Sequence, residues 1–177
     1  VGPTIADDIK SGAVYSIIFS LIVVFLYILI RFRKWQFSLG AVVALLHDVL
    51  FVMGVFSLAD GFLPFQLEVD QAFIAAILTV IGYSLNDTVV VFDRIRENMG
   101  SRGKQNGVSI NKSLNQTLSR TFNTSLTTFF VLLVIFLFGG EVIRGFMFAL
   151  LLGVLVGTYS SLFIATPVMF DASDKES

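Results

Sequence analysis

The sequence predicts an all-α integral membrane protein, one domain over residues 1–177 with five spanning helices. Three observations carry this. The chain is 55% hydrophobic and 14% charged, with a mean hydropathy of +0.85, whereas soluble domains carry about 25% charged residues. Several apolar runs match the roughly 17–25 residues that cross a bilayer as a helix. These runs also lack the polar face that a soluble bundle helix needs. Between Ala13 and Ile30 the polar-tipped side chains are Tyr15, Ser16, Ser20 and Tyr27. A net charge of −1 offers no field for nucleic acid, so no such partner is expected. There is no cysteine, which excludes disulfides and thiol chemistry.

Each element follows in order. The first ten residues are polar. Gly2-Pro3 is expected to break the chain, and Asp7-Asp8 suits the positive end of a helix dipole. The start lacks the basic region and cleavage site of a signal peptide. Helix A is expected over 11–30 and closes on Arg31-Phe32-Arg33-Lys34-Trp35, a basic cluster with an interfacial aromatic. Helix B, 37–59, ends at Asp60-Gly61 and Pro64. The following connection holds Asp60, Glu68 and Asp70 but no Lys or Arg. Helix C, 71–93, leads into a basic loop, 94–112, with Gly100, Gly103 and Gly107. Helix D, 113–138, turns at Gly139-Gly140-Glu141 into helix E, 143–170, and a polar tail follows.

Five crossings put the two ends on opposite sides. One side collects Arg31, Arg33, Lys34, Arg94, Arg96, Arg102, Lys104 and Lys112; the other has Lys10 and Arg144. The positive-inside rule then places the first residue outside and the last in the cytoplasm of a multi-pass protein. An external start with no signal implies a further segment ahead of it.

The helices carry polar groups that a bilayer penalises. Asp87 lies in an apolar run, six residues before Asp93, about 9 Å of rise. Arg120 lies eight residues after Lys112, about 12 Å of rise. The two charges reach similar depth on sequential antiparallel helices, which usually pack as neighbours. They are either a structural ion pair or part of an ion or proton path. Helix D adds a stripe of Gln116, Arg120, Asn123, Thr124, Thr127 and Thr128, opposite an apolar face with Leu118, Phe122, Leu126, Phe129 and Phe130. Such a stripe either hydrogen-bonds a neighbouring helix or lines a hydrated path. Helix C offers Tyr83, Ser84, Asn86, Asp87 and Thr88 at matching depth. Helix B adds His47-Asp48 near the bilayer middle. A lone membrane His is often a packing residue, whereas a mid-membrane acid needs a partner, water or a proton. Helix E has small residues at every fourth position: Gly145, Ala149, Gly153, Gly157 and Ser161. They form a contact face, for helix D or another protein.

No nucleophile triad, paired catalytic carboxylates or phosphate-binding glycine loop is present. No second His and no Cys completes a metal site. The chain is therefore expected not to be an enzyme and to hold no metal or cofactor, with protons as the coupling ion. Burial and a nearby cation push carboxylate proton affinity in opposite senses. A changing Asp87–Arg120 distance would couple proton binding to conformation. Each proton crossing 100 mV releases about 2.3 kcal/mol.

The run GYSLNDTVVVFDRIREN, Gly82 to Asn98, closely resembles the signature of the SecF family, subunits of the bacterial SecD–SecF accessory complex of protein export. The opening VGP, the RFRKW after helix A, LLHDV in helix B and SRTFNTSLTT in helix D resemble the same family in the same order. The resemblance implies kinship with RND-type transporters and a half bundle of that type. It implies proton flow coupled to pulling on an exported polypeptide, in the bacterial inner membrane, with SecD and the Sec translocon as partners. It makes Asp87 the proton-binding carboxylate and Arg120 its switchable partner. The family's first helix and external domain, which would contact the exported chain, have no counterpart in this sequence. Two other functions stay open: an RND-type proton-coupled transporter of a small solute, and a passive membrane scaffold.

Overall fold

The computed structural model describes residues 3–65, 67–99 and 107–174. Gly100, Arg102, Gly103 and Lys104 of the basic loop, Gly2 and residues 175–177 lie outside the described residues. The elements are α1 (Pro3–Phe32), α2 (Trp35–Ala59), α3 (Gln71–Asn98), α4 (Gly107–Phe138), α5 (Glu141–Ser160), a π-helical turn (Ser161–Ala165) and α6 (Thr166–Asp174). The last three run on as one apolar span, Glu141–Ser173. Among the described residues five helices are long and apolar enough to cross a membrane, and none forms a strand. The chain is an all-α, multi-pass membrane protein.

Several boundaries differ from expectation, and four of the differences have clear physical reasons. Pro3 starts α1 rather than breaking it, because the first helical position needs no N–H. α3 runs on to Asn98, since its polar last turns find partners. Arg94 bonds Glu97 at 2.6 Å and Gln116 of α4 at 2.8 Å. α4 begins at Gly107, which shortens the expected 94–112 loop from both ends. The expected helix 143–170 is interrupted by the π turn. Pro167, two residues past that turn in α6, lacks an N–H, and its ring crowds the carbonyl four residues back, that of Phe163 within the turn. The widened turn takes up that misfit.

Local chemistry sets the connections. Arg33 adopts φ 57° between α1 and α2, an uncommon left-handed geometry for a residue with a side chain. Asp70 caps α3 by accepting from the Phe73 N–H at 2.8 Å.

α5 sits against α2, α3 and α4. Its small residues were expected to face helix D or another protein; the central ones face α3 instead. A Cβ on Gly153 would collide with the Val80 side chain, and one on Gly157 would lie 2.9 Å from Ser84 Cβ. The π turn presses on α2, where a Cβ on Gly40 would meet the Ala165 carbonyl. Aromatic clusters close both ends of the bundle. Phe32 stacks on Phe37 at 5.1 Å and both meet Phe92 edge-on. At the other end Phe56 packs on Phe73 and Phe148, and Phe65 on Phe136 and Phe148. Among the described residues α1 buries Val24, Ile28 and Phe32 and packs Ile17 and Leu21 partly against the core; Val14, Ile18, Phe19, Ile22, Val23, Leu26 and Ile30 stay exposed, left for lipid.

Among the described residues Arg31, Arg94 and Arg96 gather at one end. Arg31 Nη2 lies 2.9 Å from both Asp93 carboxylate oxygens, and Arg96 reaches the Arg31 carbonyl at 3.5 Å. Arg31 and Asp93 are 40% and 39% exposed, and exposed pairs contribute about 0.2–1 kcal/mol. Arg31→Ala should therefore shift thermal unfolding in detergent by no more than that. A loss several times larger would make the pair a principal clamp.

Candidate functional site

Between the aromatic ends lies a polar layer built by α2, α3, α4 and α5. Asp87 is 3% exposed. It is buried because α4 and α5 both present small residues to α3. Ser125 Oγ of α4 lies 3.3 Å from Asp87 Oδ2. Ser125 is a node: Thr158 Oγ1 of α5 lies 2.6 Å away and the Tyr83 hydroxyl 3.4 Å. Tyr83 also reaches Thr128 Oγ1 at 3.5 Å. Thr158 Oγ1 is 2.7 Å from the Val154 carbonyl.

α3 and α4 are adjacent, as expected, and contacts from Asn98–Ser113 to Tyr83–Thr128 make them antiparallel. The face α4 offers is not the expected one. Its buried line is Ile110, Ser113, Thr117, Thr121 and Ser125. Of the predicted stripe, Gln116 bonds Arg94 and Asn98 near the basic end, and Thr128 meets Tyr83. Arg120, Asn123, Thr124 and Thr127 lie on the surface of this chain. Thr124, Thr127 and Thr128 direct their hydroxyls back to carbonyls of their own helix. Small hydroxyl side chains let helices approach closely, whereas an Arg side chain holds them apart. Arg120 makes no ion pair with Asp87 among the described residues, but lies within electrostatic reach of it. Asn86 is also at the surface, and Thr88 is buried with its hydroxyl on the Ser84 carbonyl at 3.0 Å.

A second buried acid lies beside the first. Asp48 is 0% exposed. Its Oδ2 accepts from Ser84 Oγ of α3 at 2.6 Å and from Ser160 Oγ of α5 at 2.7 Å. Its Oδ1 lies 3.3 Å from His47 Nδ1. Sequence reasoning missed Ser125, Thr158 and Ser160. A signal was available for Ser125: with Ser113, Thr117 and Thr121 it repeats a small hydroxyl every fourth residue, one face of a helix.

The hydroxyl chain at Asp87 has two consistent settings. With Asp87 ionised, Ser125 donates to it and Thr158 donates to Ser125. With Asp87 protonated, the carboxyl donates to Ser125, Ser125 to Thr158, and Thr158 to the Val154 carbonyl. Each hydroxyl keeps one donated bond in both settings, so the site holds either charge state without an orphaned donor. Ser125→Ala breaks the chain at its centre. It should cost about 1–3 kcal/mol by leaving buried polar groups unpaired, read as lowered thermal stability in detergent. Unchanged stability would mean water replaces the hydroxyl at no cost.

The family described as "Protein export membrane protein SecD/SecF, C-terminal" matches residues 1–175. The chain belongs to the SecD/SecF family. Protein translocase subunit SecF of Rhodothermus marinus is 60% identical over 172 residues, 97% of this chain and 56% of that protein. SecF of Vibrio alginolyticus is 49% identical over 167 residues, 94% of this chain and 51% of that one. A crystal structure of a Thermus SecDF, described as a translocon-associated membrane protein, superposes with a TM-score of 0.83 at 40% identity. It covers 100% of this chain and 24% of that one. This SecD/SecF chain thus spans about half the length of the curated relatives it matches.

Proposed function

We propose that the chain is the membrane part of a SecF-type subunit that uses proton movement to assist protein export, with Asp87 as the proton-binding carboxylate. The observation that carries this is Asp87 itself: an acid buried at membrane depth on a hydroxyl chain that suits both of its charge states. An intramembrane ionisable group is costly, and such groups mark proton paths more often than packing. Arg120 is the cation whose approach would favour the ionised state.

The partner is a SecD-type half. Arg120, Asn123, Thr124 and Thr127 stand at the surface of α4 at membrane depth, where lipid is a poor neighbour for a guanidinium. A second protein face would cover them. The relatives' SecDF structures are chains of which this one matches about a quarter. The translocon and the exported polypeptide complete the partners, the latter through an external domain outside this sequence. The protein sits in the bacterial inner membrane, with the Arg31–Arg96 end in the cytoplasm by the positive-inside rule and the first residue outside. No enzymatic step, metal or organic cofactor is required.

The test is export of a precursor into vesicles carrying the full-length chain and its partner, with and without an imposed proton gradient. The gradient should accelerate export, and an ionophore should return it to the rate of vesicles lacking the complex. An export rate indifferent to the gradient would remove proton coupling. Gradient-driven movement of a small solute instead would favour the transporter reading.

A further inference from the structure

Asp48 is more deeply buried than Asp87 and is fully engaged, yet the proton site above does not use it. Its placement is distinctive. It lies thirteen residues after Trp35 and eleven before Ala59, about 20 Å and 17 Å along the helix, so mid-membrane. Both of its close donors are serine hydroxyls from other helices, and both converge on one oxygen. The other oxygen faces His47 Nδ1 at 3.3 Å. His47 is 37% exposed and packs beside Phe51 and Tyr159, 6.1 and 6.4 Å between ring centres. A half-open imidazole thus contacts a closed carboxylate.

We propose that Asp48 is a second proton-binding carboxylate, loaded through His47, whose charge state sets how firmly α5 is fastened to α3 beside Asp87. The transfer balances: an imidazolium Nδ1–H gives its proton to Asp48 Oδ1, leaving a neutral ring and a neutral carboxyl. Ionised, Asp48 holds Ser84 and Ser160 by charge-assisted hydrogen bonds, roughly twice as strong as neutral ones. Neutralised, it loosens both. Ser160 then has an alternative acceptor, the Gly157 carbonyl at 3.2 Å.

The consequence reaches Asp87 by two short routes. Ser84 is three residues from Asp87 on α3. Ser160 is two residues from Thr158, which contacts the Ser125 node. The titratable groups facing this centre are few. His47 comes from its own helix and Tyr159 from α5, while α3 contributes Ser84 with Asp87 one turn on. Among the described residues the one basic side chain within 4 Å of the Asp48 carboxylate is His47, whose contact becomes an ion pair when the imidazole is protonated. Ser160 is also the last residue before the π turn, a feature frequent at functional sites.

This inference rests on the proton-coupled reading, so the test separates the two. Infrared difference spectra are recorded on the full-length chain with its partner, in membranes stepped between high and low pH. Two separable carboxylic C=O signals are expected. One should vanish in Asp87→Asn. The other should vanish in Asp48→Asn and shift in Ser84→Ala and Ser160→Ala, which remove hydrogen bonds to that carboxyl. Gradient-driven export should fall in Asp48→Asn to the uncoupled rate. If Asp48→Asn leaves spectrum and export unchanged while Asp87→Asn abolishes coupling, this inference fails and the motor reading stands. If Asp87→Asn exports normally, the motor reading itself fails. Should Asp48→Asn not accumulate, Ser160→Ala decides: a C=O signal that does not move overturns the proposal.

Discussion

Asp87→Asn in the full-length protein, with its partner present, should reduce gradient-driven export to the rate of vesicles lacking the complex. The carboxamide has the shape of the carboxylate and still accepts a hydrogen bond from Ser125 Oγ, now 3.3 Å from Asp87 Oδ2. It cannot bind and release a proton. Asp87 is 3% exposed, so the substitution also removes a charge that burial disfavours. Assembly with the partner and thermal unfolding in detergent should therefore be unchanged or slightly improved. This pattern separates a proton carrier from a structural staple. A staple would lose stability on neutralisation, because Arg120 would lose its counter-charge, and export would decline only in proportion. Normal coupled export in the variant would exclude Asp87 as the carrier.

Gly153→Ala should be strongly damaging for the addition of a single methyl. A Cβ at 153 would collide with Val80 Cγ2 and lie 2.8 and 2.9 Å from its other methyl and Cβ. Val80 is 1% exposed and β-branched, so it has little rotamer freedom within its helix. Relief would require α3 and α5 to part, and overpacking of this kind costs about 1–3 kcal/mol. The same movement would disturb the polar layer farther along the two helices, where Ser84 of α3 bonds Asp48 of α2 and Thr158 of α5 bonds Ser125 of α4. The expected result is a lower unfolding temperature in detergent and reduced accumulation in membranes. Val80→Ala should rescue most of it in the double variant, because it removes both colliding methyls and leaves only the Cβ contact at 2.9 Å. Failure of that rescue would mean that the α3–α5 distance is set elsewhere, at Gly157 or at the Ala165–Gly40 contact.

The spans, their order and the basic end could be read in advance. A bilayer offers no partners to backbone polar groups, so an apolar run long enough to cross must be a helix. Asp87 was legible for the same reason, as a charge where lipid tolerates none. Rotation about each helix axis was not legible. The stripe containing Arg120 and Asn123 is the more polar side of α4, and in water polarity would have announced its orientation. In a membrane both sides can be buried, against lipid or protein, and fit then matters more than polarity. The side of α4 that packs inside this chain is the one with the smallest side chains, Ser113 to Ser125, whose hydroxyls let helices close. That choice brings Ser125 to Asp87 and Thr158, and the packing of α5 on α2 brings Ser160 to Asp48. Residue type and spacing therefore named the acids and the helices, while the partners of those acids depended on which surfaces could approach most closely, a property of three-dimensional packing that no single helix contains.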